Sequence, residues 1–265
     1  PFHPLKRHPA KRFNPLEHPV IFTNPLRLTT SSWIQHLPFG MLLIELLQPR
    51  VVVELGTHYG VSYCGFCQAV KALRTDTRCY AVDYWQGDEH TGAYSTDVYD
   101  DLRQHHDPRY GDFSQLLKMK FDDALPYFAD GSIDLLHIDG YHTYEAVRHD
   151  FEIWLPKLSE RGVVLVHDIN ERDRQFGVWR LWDELTHRYP TFEMLHEHGL
   201  GVAAVGGQVP AALDLLLDAT PEEITQLREF FHLLGLRLTS QMQSAEFVSR
   251  VQHVKNLEAV IAERE

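Results

Sequence analysis

Cysteine is scarce. Only Cys64, Cys67 and Cys79 occur in 265 residues, so a fully paired disulfide framework is excluded. Cys64 and Cys67 have CxxC spacing, as CGFC, but lie inside a segment that reads as an amphipathic helix and have no second pair; they read as ordinary thiols. A long apolar run is missing, as is a visible secretory signal, so no membrane span is expected and a reducing cytoplasmic compartment is the expected setting. The chain starts with proline, which suggests a piece excised from a longer protein. Excess positive charge is also absent. A formal charge of -12 offers no general attraction to nucleic acid or anionic lipid, and the basic stretch KRHPAKR near the start reads as a solvated tail. Neither GxGxxG nor GxxxxGK[ST] occurs, so the usual dinucleotide fingerprint is missing and nucleotide hydrolysis has little support.

What is present is an ordinary globular composition, 44% hydrophobic and 23% charged, patterned as alternating strands and helices. Residues 1–30 are proline-rich and read as an extended lead-in. The valines of VVVELG suit a buried strand of a parallel sheet, and Gly56 and Gly60 frame a turn into a helix from Val61. CYAVD supplies a second strand. After a long polar loop come LLKMKF, the helix-like DDALPYF, the strand IDLLHIDG, the helix YEAVRHDFEIWLPKL and the strand GVVLVHDI. TFEMLHEH and GLGVAAVG then read as an antiparallel hairpin at the sheet edge. An open α/β sheet with helices on both faces is therefore expected over 31–207. Residues 208–265 read as a helical extension or linker, with Thr220, Pro221 and Glu223 as a helix start and Val254, Leu257 and Ile261 as a coiled-coil beginning.

In such a sheet the strand C-termini form a common crevice, and the polar residues fall there repeatedly: Glu54 and Gly56, then Asp83, then Asp139, then His167 and Asp168. Thr57 and Ser62 offer polar contacts at a helix N-terminus. Asp83 can accept paired hydrogen bonds from a ribose. Tyr84 and Trp85 can cover an adenine face or simply pack. Asp139 and Asp168 suit a divalent ion, with His167 as a nitrogen donor. His142, three residues after Asp139, can take a hydroxyl proton or can brace its loop.

VVVELGTHYGVS, CYAVD, LLHIDGYHTYEAVRHDF and GVVLVHDI together resemble class I S-adenosylmethionine-dependent methyltransferases over about Val51 to Gly207. Within them the similarity is greatest to macrocin-type sugar O-methyltransferases and cephalosporin-hydroxylase-like proteins, which include domains attached to glycosyltransferases. The resemblance implies a Rossmann-like, seven-stranded sheet with a final antiparallel strand. It places Glu54, Gly56, Thr57 and Ser62 beside the methionine and ribose of the cofactor and Asp83 on the ribose hydroxyls. Tyr84 and Trp85 would lie near the adenine, with Asp122 or Asp123 at its edge. Metal-dependent relatives carry one acid after the fourth strand and two after the fifth. Asp139 and Asp168 match two of these, and His167 stands where the other acid is expected.

The implied reaction is transfer of the cofactor's methyl group to a hydroxyl of a sugar, glycan or glycosylated small molecule, assisted by Mg²⁺ or Mn²⁺ and with His142 as base. The expected partners are a small-molecule or carbohydrate substrate, with a homo-oligomer or an attached glycosyltransferase domain as further candidates; nucleic acid is not expected. Arg172, Arg174 and Arg180 could contact a phosphorylated or nucleotide-linked acceptor. Two rival readings are a non-catalytic cofactor-binding or assembly module and a non-heme iron oxygenase, although the two-histidine, one-carboxylate arrangement is not evident.

Overall fold

The computed structural model of the protein describes residues 12–88, 92–93, 97–173 and 175–262. Arg174, and all of KRHPAKR except Arg12, lie outside them. One seven-stranded sheet organises the chain. Its strands are β1 (Val51–Leu55), β2 (Arg78–Asp83), β3 (Ser114–Lys118), β4 (Ile133–Ile138), β5 (Leu158–His167), β6 (Thr191–Met194) and β7 (Leu200–Ala204), in the order β3-β2-β1-β4-β5-β7-β6. The first five are parallel, and β7 runs antiparallel to both β5 and β6. The expected terminal hairpin is therefore present, and its second strand inserts beside β5.

The helices are α1 (Leu37–Leu47), α2 (Val61–Leu73), α3 (Asp97–Tyr110), the single turn α4 (Phe121–Ala124), α5 (Tyr144–Trp154), α6 (Val178–Thr186), the single turn α7 (Asp214–Leu217) and α8 (Pro221–Ala262). Two buried apolar clusters lie on the two sides of the sheet, as the unbroken apolar runs of the parallel strands require. One joins alternate strand residues such as Val52, Leu135 and Leu165 to α1, α2 and α8. The other joins Val53, Leu136 and Val164 to α5 and α6.

Two expectations change. The segment read as a long polar loop contains α3, whose buried residues are Val98, Leu102, His106 and Tyr110. A face one residue wide is enough to dock a helix, and its low average hydrophobicity hides it from a composition-based reading. The lead-in is not simply extended: its prolines start 3-10 turns at Pro15–Glu17 and Pro19–Phe22, and Val20 and Ile21 are buried. The extension, read as a helical extension or linker, is helical, and its first half is packed onto the domain. Leu227, Phe231 and Leu238 are buried, and a Cβ on Gly235 would stand 2.4 Å from the Gln35 carbonyl oxygen. Its start is the expected capping box: the Thr220 N–H donates to Glu223 at 2.9 Å, and the Glu223 N–H donates to Thr220 Oγ1 at 3.3 Å. The side chains of Val254, Leu257 and Ile261 lie outside those described. Among the described residues no helix is long and apolar enough to cross a membrane.

Candidate active site

The C-terminal ends of β1, β2, β4 and β5 open onto a cavity of about 530 Å³. Its first wall is the turn from β1 into α2. Gly56 has φ +87°, and a Cβ there would lie 2.0 Å from the Asp139 carbonyl oxygen, so only glycine lets the β1 and β4 ends approach this closely. The next peptide groups are held by Asp83. The Thr57 and His58 N–H groups donate to its Oδ2, each at 2.9 Å, and the Trp85 N–H donates to Oδ1 at 2.6 Å. Burial raises the Asp83 pKa above the usual carboxylate range, and these three donors partly offset that push. Thr57 is buried on the cavity wall, and among the described residues its Oγ1 has no hydrogen-bond partner. Buried hydroxyls are usually bonded, so this group is available to a ligand.

Of the residues read as cofactor contacts, Gly56, Thr57, Ser62, Asp83, Tyr84 and Asp122 line the cavity. Glu54 and Trp85 do not. Glu54 is fully buried, paired across the sheet with His137 (Nδ1 to Oε2, 2.8 Å). Burial raises its pKa, against the pull of His137 and Ser62. Trp85 is folded beneath the turn, where its indole N–H donates to the His58 carbonyl oxygen at 2.9 Å. It braces the wall and leaves the half-exposed Tyr84 as the aromatic of the pair that faces the cavity. Asp122 is mostly exposed, with its carboxylate beside His149.

The opposite wall carries Asp139, His142, His167 and Asp168. His142 Nε2 is 2.9 Å from Asp168 Oδ2 and 3.8 Å from Asp139 Oδ1. His167 Nδ1 is 3.2 Å from Asp139 Oδ1 and 3.4 Å from Asp168 Oδ1. Burial alone would lower the His142 pKa, but the two carboxylates outweigh it and hold it up at about 9. His167 is raised by the same acids, again against burial. Both aspartates are held below the usual range because the imidazoles overcome the burial that would raise them.

The donor set fits a divalent ion, since one ligand atom each from Asp139, His142 and Asp168 lies within 4.8 Å of the others. In this grouping His142 takes the nitrogen position expected of His167. The His167 ring instead packs on Trp33 and His36 from behind.

Residues not anticipated from sequence also reach the cavity. His198 lies in the β6–β7 turn, which is tied to the β5 end by the Asp168 N–H donating to the Gly199 carbonyl (3.0 Å) and the Asn170 N–H to that of His198 (2.8 Å). This brings His198 Nδ1 to 3.3 Å from Asp168 Oδ1. Phe176 stacks on His142 at 4.4 Å and 9°, and the Gly177 N–H donates to the His142 carbonyl at 2.8 Å. The hydroxyl run Thr30–Ser32 and Trp33 form part of the rim. Arg172 and Arg180 are not on the wall; their guanidinium groups lie over the Trp179 and Tyr144 rings, at 4.9 and 4.0 Å.

Residues 53–169 match a family model described as a methyltransferase domain. Uncharacterized protein y4gI of Sinorhizobium fredii is 44% identical over 236 residues, covering 88% of this chain. The chain spans 26% of that relative's length. Among solved structures, cofactor-bound Rv0187 from MTB is 17% identical over 74% of this chain and 92% of its own, with a TM-score of 0.50. The O-methyltransferase TomG from Streptomyces achromogenes, in complex with SAM, is 16% identical over 75% and 92%, with a TM-score of 0.49. The fold is the class I methyltransferase fold. In it, the β1–α2 turn and the β2 end form one side of the cavity, and the β4 and β5 ends carry the acid and histidine group.

Proposed function

We propose that this chain is an S-adenosylmethionine-dependent O-methyltransferase acting on a hydroxyl of a sugar, glycan or glycosylated small molecule, of the macrocin type. The observation that carries this reading is the position of His142, bonded to Asp168 and facing the same cavity as Asp83 and the β1–α2 turn. Gly56, Thr57 and Ser62 would hold the cofactor, Asp83 would accept from its ribose hydroxyls, and Tyr84 and Asp122 would stand on the adenine side.

The acceptor enters on the side of Asp139, His142 and Asp168. The cofactor, when bound, would supply a sulfonium methyl group, passed to the acceptor oxygen with cleavage of its carbon–sulfur bond. His142 accepts the hydroxyl proton, and the products are a methyl ether and S-adenosylhomocysteine. Alignment of oxygen, carbon and sulfur supplies much of the rate. The carboxylate beside His142 increases its basicity, at the cost that the imidazole must first be deprotonated near neutral pH. The Asp139 and Asp168 carboxylates would hold a Mg²⁺ or Mn²⁺ ion, whose charge when bound lowers the cost of alkoxide character on the acceptor.

The test is transfer of a labelled methyl group to a panel of free, nucleotide-linked and lipid-linked sugars and glycosylated small molecules, with and without Mn²⁺. Product from native protein, and at least about 100-fold less from His142→Gln, supports the reading. Undiminished turnover by His142→Gln contradicts the base assignment. Cofactor binding with no turnover on any acceptor favours a binding or assembly module.

A further inference from the structure

A second group of ligating side chains stands apart from the acids of the crevice. Asp150 lies on α5 and is only 6% exposed, yet none of the described residues donates it a hydrogen bond. It lies beside the β4 end; a Cβ on Gly140 would stand in ordinary contact, 3.4 Å, with Asp150 Oδ2. A carboxylate taken this far out of water is normally paired, on a metal or protonated, and burial pushes the Asp150 pKa up to about 7. His149, its neighbour on the helix, lies with Nε2 3.2 Å from both carboxylate oxygens of Asp122 on α4. One ligand atom from each of Asp122, His149 and Asp150 falls within 4.8 Å of the others.

We propose that Asp122, His149 and Asp150 form a second divalent-metal site, sharing no residue with Asp139, His142 and Asp168. An ordinary surface ion pair accounts for Asp122 and His149 but leaves Asp150 buried without a partner. A cation accounts for all three. Two donors about 2.1 Å from a common ion and roughly 100° apart stand about 3.2 Å from each other, which is the separation of His149 and Asp122. Two carboxylates and one imidazole suit Mn²⁺ or Zn²⁺ better than Mg²⁺, which prefers oxygen alone. Because Asp122 also lines the cavity, an ion here pins the α4 turn at the cavity edge to α5.

The experiment counts Mn²⁺ bound to the full chain, from the free-ion electron paramagnetic resonance signal, for native protein, D150N and H149Q. Asn keeps the shape of Asp150 and breaks no hydrogen bond, and position 149 is half-exposed, so H149Q retains the fold and decides the matter if D150N does not. The expected result is one fewer equivalent, or at least a tenfold weaker one, in each variant, with that equivalent retained in D139N/D168N. Native stoichiometry and affinity in H149Q and folded D150N, or no Mn²⁺ on the native chain, overturns the site. This readout is independent of methyl transfer, so its failure leaves the proposed activity untouched.

Discussion

His142 Nε2 lies 2.9 Å from Asp168 Oδ2, and that pairing joins a residue of the β4–α5 loop to the end of β5. It sets both the charge state of the imidazole and its direction. Asp168→Asn removes the carboxylate while keeping the shape. Methyl transfer is expected to fall at least about 100-fold, while the cofactor dissociation constant, read by calorimetry, stays within about threefold. An equal loss in both would place Asp168 on the cofactor instead.

The raised His142 pKa also makes a statement about stability. In metal-free protein, its value of about 9 exceeds the unfolded value of about 6.5, so the folded state binds the proton more tightly. The resulting stabilisation is complete below about pH 6.5 and disappears as pH rises through about 9. Melting temperatures of native protein and His142→Gln in chelator should converge between pH 7 and pH 10. A constant difference would contradict the ion-pair assignment.

At the other end of the sheet Asp134 binds Arg50 in two places, Oδ1 to Nη2 and Oδ2 to Nε, both at 2.9 Å, and accepts from Ser159 at 2.5 Å. Burial would raise its pKa, but these donors lower it to about 2. The stabilisation is present above the unfolded value of about 3.9 and is lost as pH falls through about 2. Asp134→Asn should therefore lower the melting temperature at pH 6 and match native protein near pH 2, as read by circular dichroism.

Gly56→Ala places a Cβ against the Asp139 carbonyl at a residue whose φ is +87°. Both strain the β1–β4 contact, and a loss of at least about 2 kcal/mol is expected in denaturant unfolding. Native stability would mean that the two strand ends can separate freely.

Much of this arrangement was legible in sequence because parallel strands announce themselves as short valine- and leucine-rich runs. CYAVD, LLHID and VVLVHD each deliver a polar residue to the same edge. Where the sequence misled, packing rather than pattern decided. Asp83 ends its strand, but Glu54 stands one residue before the end of β1, opposite His137 and in the interior. Trp85 follows Asp83 directly, yet with φ +50° its ring folds under the turn. The α3 helix offers one apolar or aromatic contact per turn, too sparse to stand out among its acids and basic residues. His198 carries no local signal, since only the pairing of β7 with β5 brings it beside Asp168. The docking of α8 depends on Gly235 meeting Gln35, 200 residues away in sequence.

In the proposed reading, the cavity between the β1–α2 turn and Asp83 holds S-adenosylmethionine. Calorimetric titration of the cofactor into native protein and Asp83→Ala tests it most directly. One cofactor should bind per chain, and loss of the carboxylate that fixes Thr57, His58 and Trp85 should weaken binding at least tenfold. No binding to folded native protein, or equal affinity in folded Asp83→Ala, would contradict the account.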